Sequence, residues 1–415
     1  MSNKIIPVIT LLLICSLNSS CQTAKDNKKA EALNARIDSI LQSKVDNDEI
    51  PGAVILIKKD GRVVCEHAYG YAQKYDYNHR LITPPDTMKT DDLFDIASLT
   101  KVIGTTTSIM LLSDRGMINI DDPVCKYIKA FGTDEKKNIT IRNLLTHTAG
   151  LCEWYPLYYR ASDKQESYKV IAELPLAFPV GEKRHYSDLG FDLLGEIIEI
   201  VSGQPLDIFM EMNVFRPLDM KNTCFNPLRT VDRSKIAATS AGNPYERRMV
   251  YDTTLGYTIR GLNPESWNGW RTYLLRGEVN DGNAWYAFKG ISGAAGLFSN
   301  AEDLQKLVDM LMNNGMAGQK QFISSGTIKK FLTKDKYNNG LGWMMDTSNS
   351  FMKNAPEGSY GHTGFTGTSI TVVPSGNLSV ILLINRQNTG LLNSREYYNT
   401  NSIRLQIFNA VTKYL

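Results

Sequence analysis

The most informative segment of the chain reads FDIASLTKVIGTTTSIMLL and covers residues 94–112. Its apolar residues stop at Ser98 and return with helical spacing from Val102, which predicts a helix that begins at Ser98. Lys101 then lies one turn later on the same face. A serine hydroxyl becomes a nucleophile when a base takes its proton, and a buried lysine whose pKa is lowered by desolvation can be that base. The helix N-terminus adds N–H groups that can bind an oxyanion.

This spacing alone is a weak signal, because Ser350 and Lys353 repeat it in a polar stretch. A lone Ser98 would be interpreted as a helix cap. Two further motifs change that interpretation. Tyr186-Ser187-Asp188 lies within PVGEKRHYSDLGFDLLGEIIE, residues 179–199, and His362-Thr363-Gly364 lies in a strand pattern near the C-terminus. The three motifs follow one another in the order Ser-x-x-Lys, Tyr-x-Asn/Asp and Lys/His-Thr-Gly.

This ordered set resembles the signature of the serine β-lactamase-like superfamily. The chain is identified as a member on the branch of class C β-lactamases, DD-peptidases and related esterases, because LLTHTAGL at 144–151 and YSDLGFDLLGEIIE at 186–199 also match that branch. FDIASLTKV, RGEVNDGNA at 276–284 and GHTGFTGTS at 361–369 resemble a narrower subgroup of secreted N-acetylmuramyl-L-alanine amidases. Asn280 departs from that subgroup, which tends to have histidine there.

The resemblance implies acyl transfer through a covalent acyl-enzyme, with Ser98 as the nucleophile and no cofactor or metal. Lys101 and Tyr186 are both candidates for the base. A phenol beside an ammonium group has a lowered pKa and can carry a proton to the leaving group. The sequence leaves the choice between the two open.

The third motif is expected on an edge strand that faces the catalytic cleft. Gly364 would let the substrate backbone approach closely, since it has no side chain, and Thr363 would lie beside it. The resemblance implies that the N–H of Phe365 joins the N–H of Ser98 in an oxyanion hole. His362 stands where β-lactamases have lysine, which disfavours a β-lactamase function. The alternative for His362 is a histidine that is only hydrogen-bonded on its strand.

Asp188 also departs from the family pattern, in which asparagine is commoner. An ionised aspartate accepts hydrogen bonds but does not donate them. Three roles are open: Asp188 pairs with Lys101 and keeps it charged, meets a substrate ammonium group, or caps the helix that starts at Leu189.

Other polar residues near the motifs have simpler interpretations. His147 is predicted to be a packed histidine, because the resembling family uses this segment structurally. Glu278, Asp281 and Asn283 either line the substrate pocket or belong to a solvated loop, and none is assigned a catalytic role.

Strand patterns occur at both ends of the sequence and helix patterns in the middle. We therefore predict an α+β fold of the β-lactamase/transpeptidase type, with one antiparallel sheet built from both chain ends and flanked by helices. A mainly helical region of about residues 121–290 is inserted, and the whole domain covers residues 30–415. The cleft is expected between the sheet and the inserted region.

The N-terminus has a different character. Residues 1–21 read MSNKIIPVITLLLICSLNSSC, a charged residue followed by an apolar run and small polar residues, which is typical of a secretory signal. Ser19-Ser20-Cys21 resembles a bacterial lipoprotein box, with Cys21 as the lipidated residue, although Asn18 replaces the usual leucine. Residues 22–29 would be a polar tether. The alternative is an ordinary signal peptide with a stray cysteine.

The composition excludes some functions and leaves others open. The net charge is +3 without a basic cluster, so nucleic acid is not an expected partner. We expect a cell-envelope protein, a periplasmic or outer-membrane lipoprotein, that hydrolyses a muropeptide at the muramyl-peptide amide or at a D-Ala-D-Ala end. The alternatives are a small-ester hydrolase or β-lactamase, and an acylatable sensor that does not turn over. A purely structural envelope protein would require the motifs to be coincidental.

Overall fold

The structure, a computed structural model, describes residues 28–257, 262–348 and 351–415. The predicted signal segment with Cys21, most of the tether and Ser350 lie outside these residues. Among the helices that are described, none is long and apolar enough to cross a membrane.

The main feature of the fold is a six-stranded antiparallel sheet in the order β3-β2-β1-β11-β10-β9. Three strands come from the N-terminal part and three from the C-terminal part, which confirms the predicted sheet. β1 pairs with β11 in continuous register from Ala53 opposite Ile384 to Lys59 opposite Leu378. The strands are β1 Gly52–Lys59, β2 Arg62–Tyr75, β3 Leu81–Thr87, β4 Phe94–Asp95, β5 Cys224–Phe225, β6 Leu297–Ser299, β7 Met316–Ala317, β8 Lys320–Gln321, β9 Tyr360–Thr363, β10 Ser369–Val373 and β11 Leu378–Ile384.

Helices cover both faces of the sheet. Alternate residues of each central strand point to opposite faces and are therefore buried on both sides. Ile55 and Leu382 pack with the first and last helices of the chain, whereas Leu56 and Ile381 pack with the central helices. The central strands therefore read as continuous apolar runs. The helices are α1 (residues 28–46), α2 Thr107–Asp114, α3 Ile141–Leu145, α4 Lys164–Glu173, α5 Asp188–Ser202, α6 Leu206–Met210, α7 Pro244–Tyr251, α8 Ala301–Met312, α9 Ser325–Phe331 and α10 Asn401–Tyr414.

The helix predicted at Ser98 runs over residues 99–114 and is called the nucleophile helix below. After residues 99–100, the segment Lys101–Thr106 is π-helical and continues into α2. The helix is followed by Gly116, whose φ of 70° suits a residue without a side chain.

Two parts of the fold differ from the sequence pattern. The sequence pattern near the C-terminus predicts a last helix from about Arg395 to Tyr414, but this helix begins at Asn401, and Arg395 has a φ of 63° that no right-handed helix contains. A second, three-stranded sheet in the order β4-β6-β5 was not predicted, because its strands of two or three residues are too short to show a period. This small sheet places the segment before Ser98 beside residues 297–299.

Candidate active site

Ser98 lies where the chain leaves β4 and enters the nucleophile helix. Ala97 before it has a φ of 46°, which is uncommon for a residue with a side chain. The Ala97 N–H donates to Asp95 Oδ1 at 2.9 Å, and Asp95 Oδ2 accepts from the Asn280 N–H at 2.6 Å. The buried carboxyl of Asp95 thus supports the turn that presents Ser98.

Lys101 is almost fully buried, with 1% of its surface exposed. Its Nζ donates to Ser98 Oγ at 3.1 Å and to the Ala294 carbonyl oxygen at 2.8 Å, and it lies 2.7 Å from Asp188 Oδ1. The Tyr186 hydroxyl lies near the side chains of Ser98 and Lys101 and interacts electrostatically with Lys101. The first two sequence motifs therefore meet at one ammonium group.

The charge of Lys101 is set by two opposing effects. Burial lowers its pKa, as the sequence predicted, but the charge of Asp188 and the phenol of Tyr186 raise it by more. The pKa ends above the ordinary 10.5, so the prediction that desolvation brings Lys101 toward neutrality is wrong for the free protein. Of the roles open for Asp188, the ion pair is the one observed. Ser187 takes the N-cap position and Asp188 begins α5, so Asp188 is not the cap.

Tyr186 is held in place by a histidine behind it. The rings of His147 and Tyr186 lie 4.4 Å apart, and His147 Nδ1 accepts from the Ser187 N–H at 3.0 Å. Burial keeps the pKa of His147 well below its ordinary value, so it is neutral. The prediction of a packed histidine is confirmed. Burial also raises the pKa of Tyr186 by more than the charge of Lys101 lowers it, so the predicted lowering of this pKa is wrong for the free protein and the phenol is neutral in the resting state.

His362 lies on the edge strand β9, as predicted, but it is buried behind Tyr186. It is 2% exposed, and its ring centroid lies 6.2 Å from that of Tyr186. Its Nδ1 donates to the Thr363 carbonyl oxygen at 2.9 Å, which leaves Nε2 as the unprotonated nitrogen. Burial and the charge of Lys101 lower the pKa of His362 to about 3. His362 is therefore a neutral group and does not line the cavity.

The turn after β9 packs closely against the segment that precedes Ser98. A side chain at Gly364 would place its Cβ 2.1 Å from Thr368 Oγ1 and 2.5 Å from the Ile96 carbonyl oxygen. The packing of the protein itself thus requires glycine here, and the predicted close approach of a substrate at Gly364 stays a prediction. Thr366 Oγ1 donates to the Asp95 carbonyl oxygen at 2.7 Å, so the turn is fixed against the segment that precedes Ser98.

The same turn brings the Phe365 backbone toward Ser98, and both residues line one cavity. Within the described part of the chain, neither the Ser98 N–H nor the Phe365 N–H donates to another protein group. Two free N–H groups beside a nucleophile are what an oxyanion hole needs.

The cavity over Ser98 has an acidic and aromatic lining. Of the described residues that line it, Lys101 is the only basic one. Its carboxyl groups are Glu153, Asp188, Glu246 and Asp281, and its aromatic rings besides Tyr186 are Trp154, Tyr245, Tyr257, Phe365 and Tyr397.

The segment RGEVNDGNA is not a solvated loop. Asp281 lines the cavity, and its Oδ1 accepts from the Ala284 N–H at 2.7 Å. Asn283 is structural, since its Oδ1 accepts from the Leu157 N–H at 2.8 Å. Glu278 lies outside the cavity and accepts from the Tyr273 hydroxyl.

Sequence reasoning missed Glu246 and Tyr245, which reach the cavity from α7. No motif marks them, because they are distant in sequence from the three motifs and only the folded chain brings them together.

Comparison with known proteins agrees with this geometry. The family model described as Beta-lactamase matches residues 37–402. The N-acetylmuramyl-L-alanine amidase of Bacillus subtilis is 31% identical over 94% of this chain and 91% of that protein. A D-alanyl-D-alanine carboxypeptidase of Escherichia coli K12 is 33% identical over 81% of this chain and 78% of that protein.

Solved structures share the fold at lower identity. EstCE1, a hydrolase with promiscuous acyltransferase activity, superposes with a TM-score of 0.68 at 21% identity, over 92% of this chain and 99% of that chain. A class C β-lactamase from Rhodobacter sphaeroides superposes with a TM-score of 0.62 at 18% identity, over 91% of this chain and 99% of that chain. The chain belongs to the beta-lactamase family, and it is a serine hydrolase that works through an acyl-enzyme.

A fluorophosphonate probe is expected to label Ser98, because this hydroxyl contacts both Lys101 and Tyr186. Peptide mapping by mass spectrometry identifies the modified residue. Ser98→Ala should abolish labelling and Ser350→Ala should leave it unchanged. Label on the Ser350 peptide, or label that survives Ser98→Ala, would contradict the assignment.

Asp188→Asn is expected to make activity sensitive to alkaline pH. Asparagine has no charge to offset burial, so the pKa of Lys101 falls, and the alkaline limb of kcat/KM against pH moves to lower pH. Glu49→Gln is the matched control, since it removes the carboxylate of another ion pair, with Lys44 at 2.7 Å, far from Ser98 in sequence. A profile that Asp188→Asn leaves unchanged would show that Asp188 does not hold the charge of Lys101.

Proposed function

We propose that Ser98, Lys101 and Tyr186 catalyse acyl transfer from an amide of cell-wall muropeptides, and that Tyr186 is the base. The Lys101 ammonium donates to Ser98 Oγ, so it has no lone pair for the Ser98 proton. Tyr186 first loses its own phenolic proton to solvent, and the charge of Lys101 stabilises the tyrosinate that forms; the tyrosinate oxygen beside Ser98 then takes the Ser98 proton.

The reaction then follows from the geometry. Ser98 Oγ bonds to the amide carbonyl carbon as its proton passes to Tyr186, and the N–H groups of Ser98 and Phe365 bind the oxyanion. Tyr186 returns the proton to the amine as the C–N bond breaks. Water next attacks the Ser98 ester by the same proton path, which releases the acid and restores Ser98.

The charge of the cavity is the observation that carries the choice of substrate. The leaving group of a D-Ala-D-Ala end has a free carboxylate next to the scissile nitrogen, whereas a muramoyl-alanine amide has no charge so close. Glu246, whose pKa burial raises to about 8, and Asp188, which is paired with Lys101, add little net charge to the cavity. Asp281, whose pKa is about 6, is mostly ionised at neutral pH, and the one basic residue among the described lining residues, Lys101, is not free to pair with a substrate carboxylate. Like charges at about 4 Å repel by about 1–4 kcal/mol at dielectric constants of 80–20, which is fivefold to several hundredfold in rate.

The aromatic side of the cavity supports a sugar-bearing substrate. The Phe365 ring is 39% exposed, and it packs against Tyr245 at 5.3 Å and Tyr397 at 5.9 Å between ring centroids. The C–H face of a pyranose ring packs well on an aromatic ring, and the amide side chain of Gln387, which also lines the cavity, suits its hydroxyl and N-acetyl groups. The relative named N-acetylmuramyl-L-alanine amidase has such a sugar in its substrate name.

A substrate panel tests this proposal. We expect release of the peptide from N-acetylmuramoyl-L-alanyl-D-isoglutamine, with a lower kcat/KM for the D-lactoyl analogue that lacks the sugar. Release of D-alanine from a pentapeptide and hydrolysis of a chromogenic cephalosporin should be slower by at least tenfold. An amine-detection assay and absorbance follow the products.

Other outcomes would point to other functions. Release of D-alanine with the muramoyl amide untouched would indicate a carboxypeptidase, and preference for p-nitrophenyl acetate an esterase. A stable stoichiometric adduct on Ser98 without product release would indicate a sensor.

We further propose that the protein is an envelope lipoprotein anchored through Cys21. The support is the segment of residues 1–21 and the cell-wall relatives. The native protein is expected to enter the detergent phase in Triton X-114 partitioning, and Cys21→Ser should move it to the aqueous phase, with Cys125→Ser as the control. A native protein that stays in the aqueous phase, with Cys21 free or removed, would contradict lipidation.

A further inference from the structure

A short turn, residues 292–295, lies between the nucleophile helix and α5 and contacts both helices. On one side, Thr105 Oγ1 donates to the Gly293 carbonyl oxygen at 2.6 Å and Lys101 Nζ donates to the Ala294 carbonyl oxygen at 2.8 Å. On the other side, Gly293 packs directly on α5. A Cβ at Gly293 would lie 2.1 Å from the Phe191 carbonyl oxygen.

Asp192 holds this turn from α5. Its Oδ1 accepts from Ser292 Oγ at 2.5 Å, and Ser292 Oγ accepts from the Ala294 N–H at 2.9 Å. The Ala294 carbonyl oxygen then accepts from Lys101 Nζ. An unbroken series of contacts thus runs from the Asp192 carboxyl to the ammonium group beside Ser98.

Asp188 and Asp192 lie one turn apart on α5 and therefore on the same face. Asp188 contacts Lys101 directly, whereas Asp192 reaches it through Ser292 and Ala294. Both carboxyl groups thus act on Lys101, the first as its ion-pair partner and the second through the turn.

Asp192 is 2% exposed and does not line the cavity, so it has no path to the substrate. Its charged or titratable neighbours are Asp188, Asp281, Lys101 and Tyr168. Burial raises its pKa to about 8, so near neutral pH the carboxyl is mostly protonated. A neutral carboxyl acts through hydrogen bonds and shape rather than through charge.

We propose that Asp192 is a positioning residue for catalysis: through Ser292 it fixes the turn whose Ala294 carbonyl oxygen holds Lys101 against Ser98. This proposal rests on the roles of Ser98 and Lys101 proposed above. It gives α5 a second function in the site, beyond carrying Asp188.

The test compares the variants Asp192→Ala, Asp192→Asn and Ser292→Ala with the native protein. For each protein, kcat/KM is divided by the fraction of molecules whose Ser98 a fluorophosphonate labels, which gives a normalised kcat/KM. Asp192→Ala and Ser292→Ala should lower this value by about 10–100-fold, as is usual when a supporting residue is lost and a catalytic group shifts. Asp192→Asn should stay within about threefold, because its amide oxygen still accepts from Ser292. Normalising by label removes any loss due to unfolded protein.

The pH profile separates positioning from a purely structural role. When the turn loosens, the Lys101 ammonium loses the hydrogen bond to Ala294, so its pKa falls and the alkaline limb moves to lower pH in Asp192→Ala and Ser292→Ala. The other groups that face Lys101, which are Asp188, Tyr186, His147, His362 and Asp281, are unchanged in these variants. A loss of stability alone lowers the melting temperature without moving this limb.

Asp114→Ala is the matched control. Asp114 also accepts from a serine hydroxyl, Ser324 Oγ at 2.5 Å, but it lies roughly 20 Å further along the nucleophile helix. This variant should keep both the normalised kcat/KM and the pH profile.

Two results would overturn the proposal: normalised activity that stays normal in Asp192→Ala or Ser292→Ala, or an Asp192→Asn variant as impaired as Asp192→Ala. If Asp192→Ala does not fold, Ser292→Ala decides alone. Labelling that persists in Ser98→Ala would instead refute the active site itself, which is a separate outcome.

Discussion

The buried ion pair between Lys101 and Asp188 joins the nucleophile helix to α5, and the rest of the site depends on it. Taking an ammonium group out of water costs several kcal/mol, and one unpaired partner left behind costs about 3–5 kcal/mol. Lys101 offsets this cost by contacts with Asp188, Tyr186, Ser98 and the Ala294 carbonyl oxygen. The segments that carry these groups are therefore held at one relative position, which is also the position that catalysis needs.

The large sheet supplies the fixed frame around this pair. Its central strands are buried on both faces by helices, so the edge strand β9 has little freedom to shift. The turn after β9 is tied to Asp95 and Ile96 by the hydroxyls of Thr366 and Thr368. Phe365 consequently lines the same cavity as Ser98, although the two residues are far apart in the chain.

The acidic cavity is less charged than its composition suggests. Burial raises the pKa of Glu246 to about 8 and that of Asp281 to about 6, so Glu246 is mostly protonated at neutral pH. Asp188 is neutralised by Lys101. The cavity still offers no free cation among its described residues, and its carboxyl groups become more repulsive to an anion as the pH rises. This property suits substrates whose scissile amide has no adjacent carboxylate.

The sequence by itself determined the family and the sheet, and it predicted the nucleophile. These predictions came from local patterns, namely the helical spacing around Ser98, the apolar runs at both chain ends and three short motifs. Local patterns can be recognised in a sequence without knowledge of the fold. The tertiary structure decided the charge of Lys101. That charge depends on how deeply the ammonium group is buried and on how near it lies to Asp188 and Tyr186. It likewise decided that His362 is a neutral residue behind Tyr186, that Gly364 accommodates the backbone of Ile96, and that Glu246 lines the cavity while Asp192 contacts the turn that holds Lys101. Electrostatic and packing effects fall off over a few ångströms, and such distances between residues remote in sequence exist only once the chain has folded.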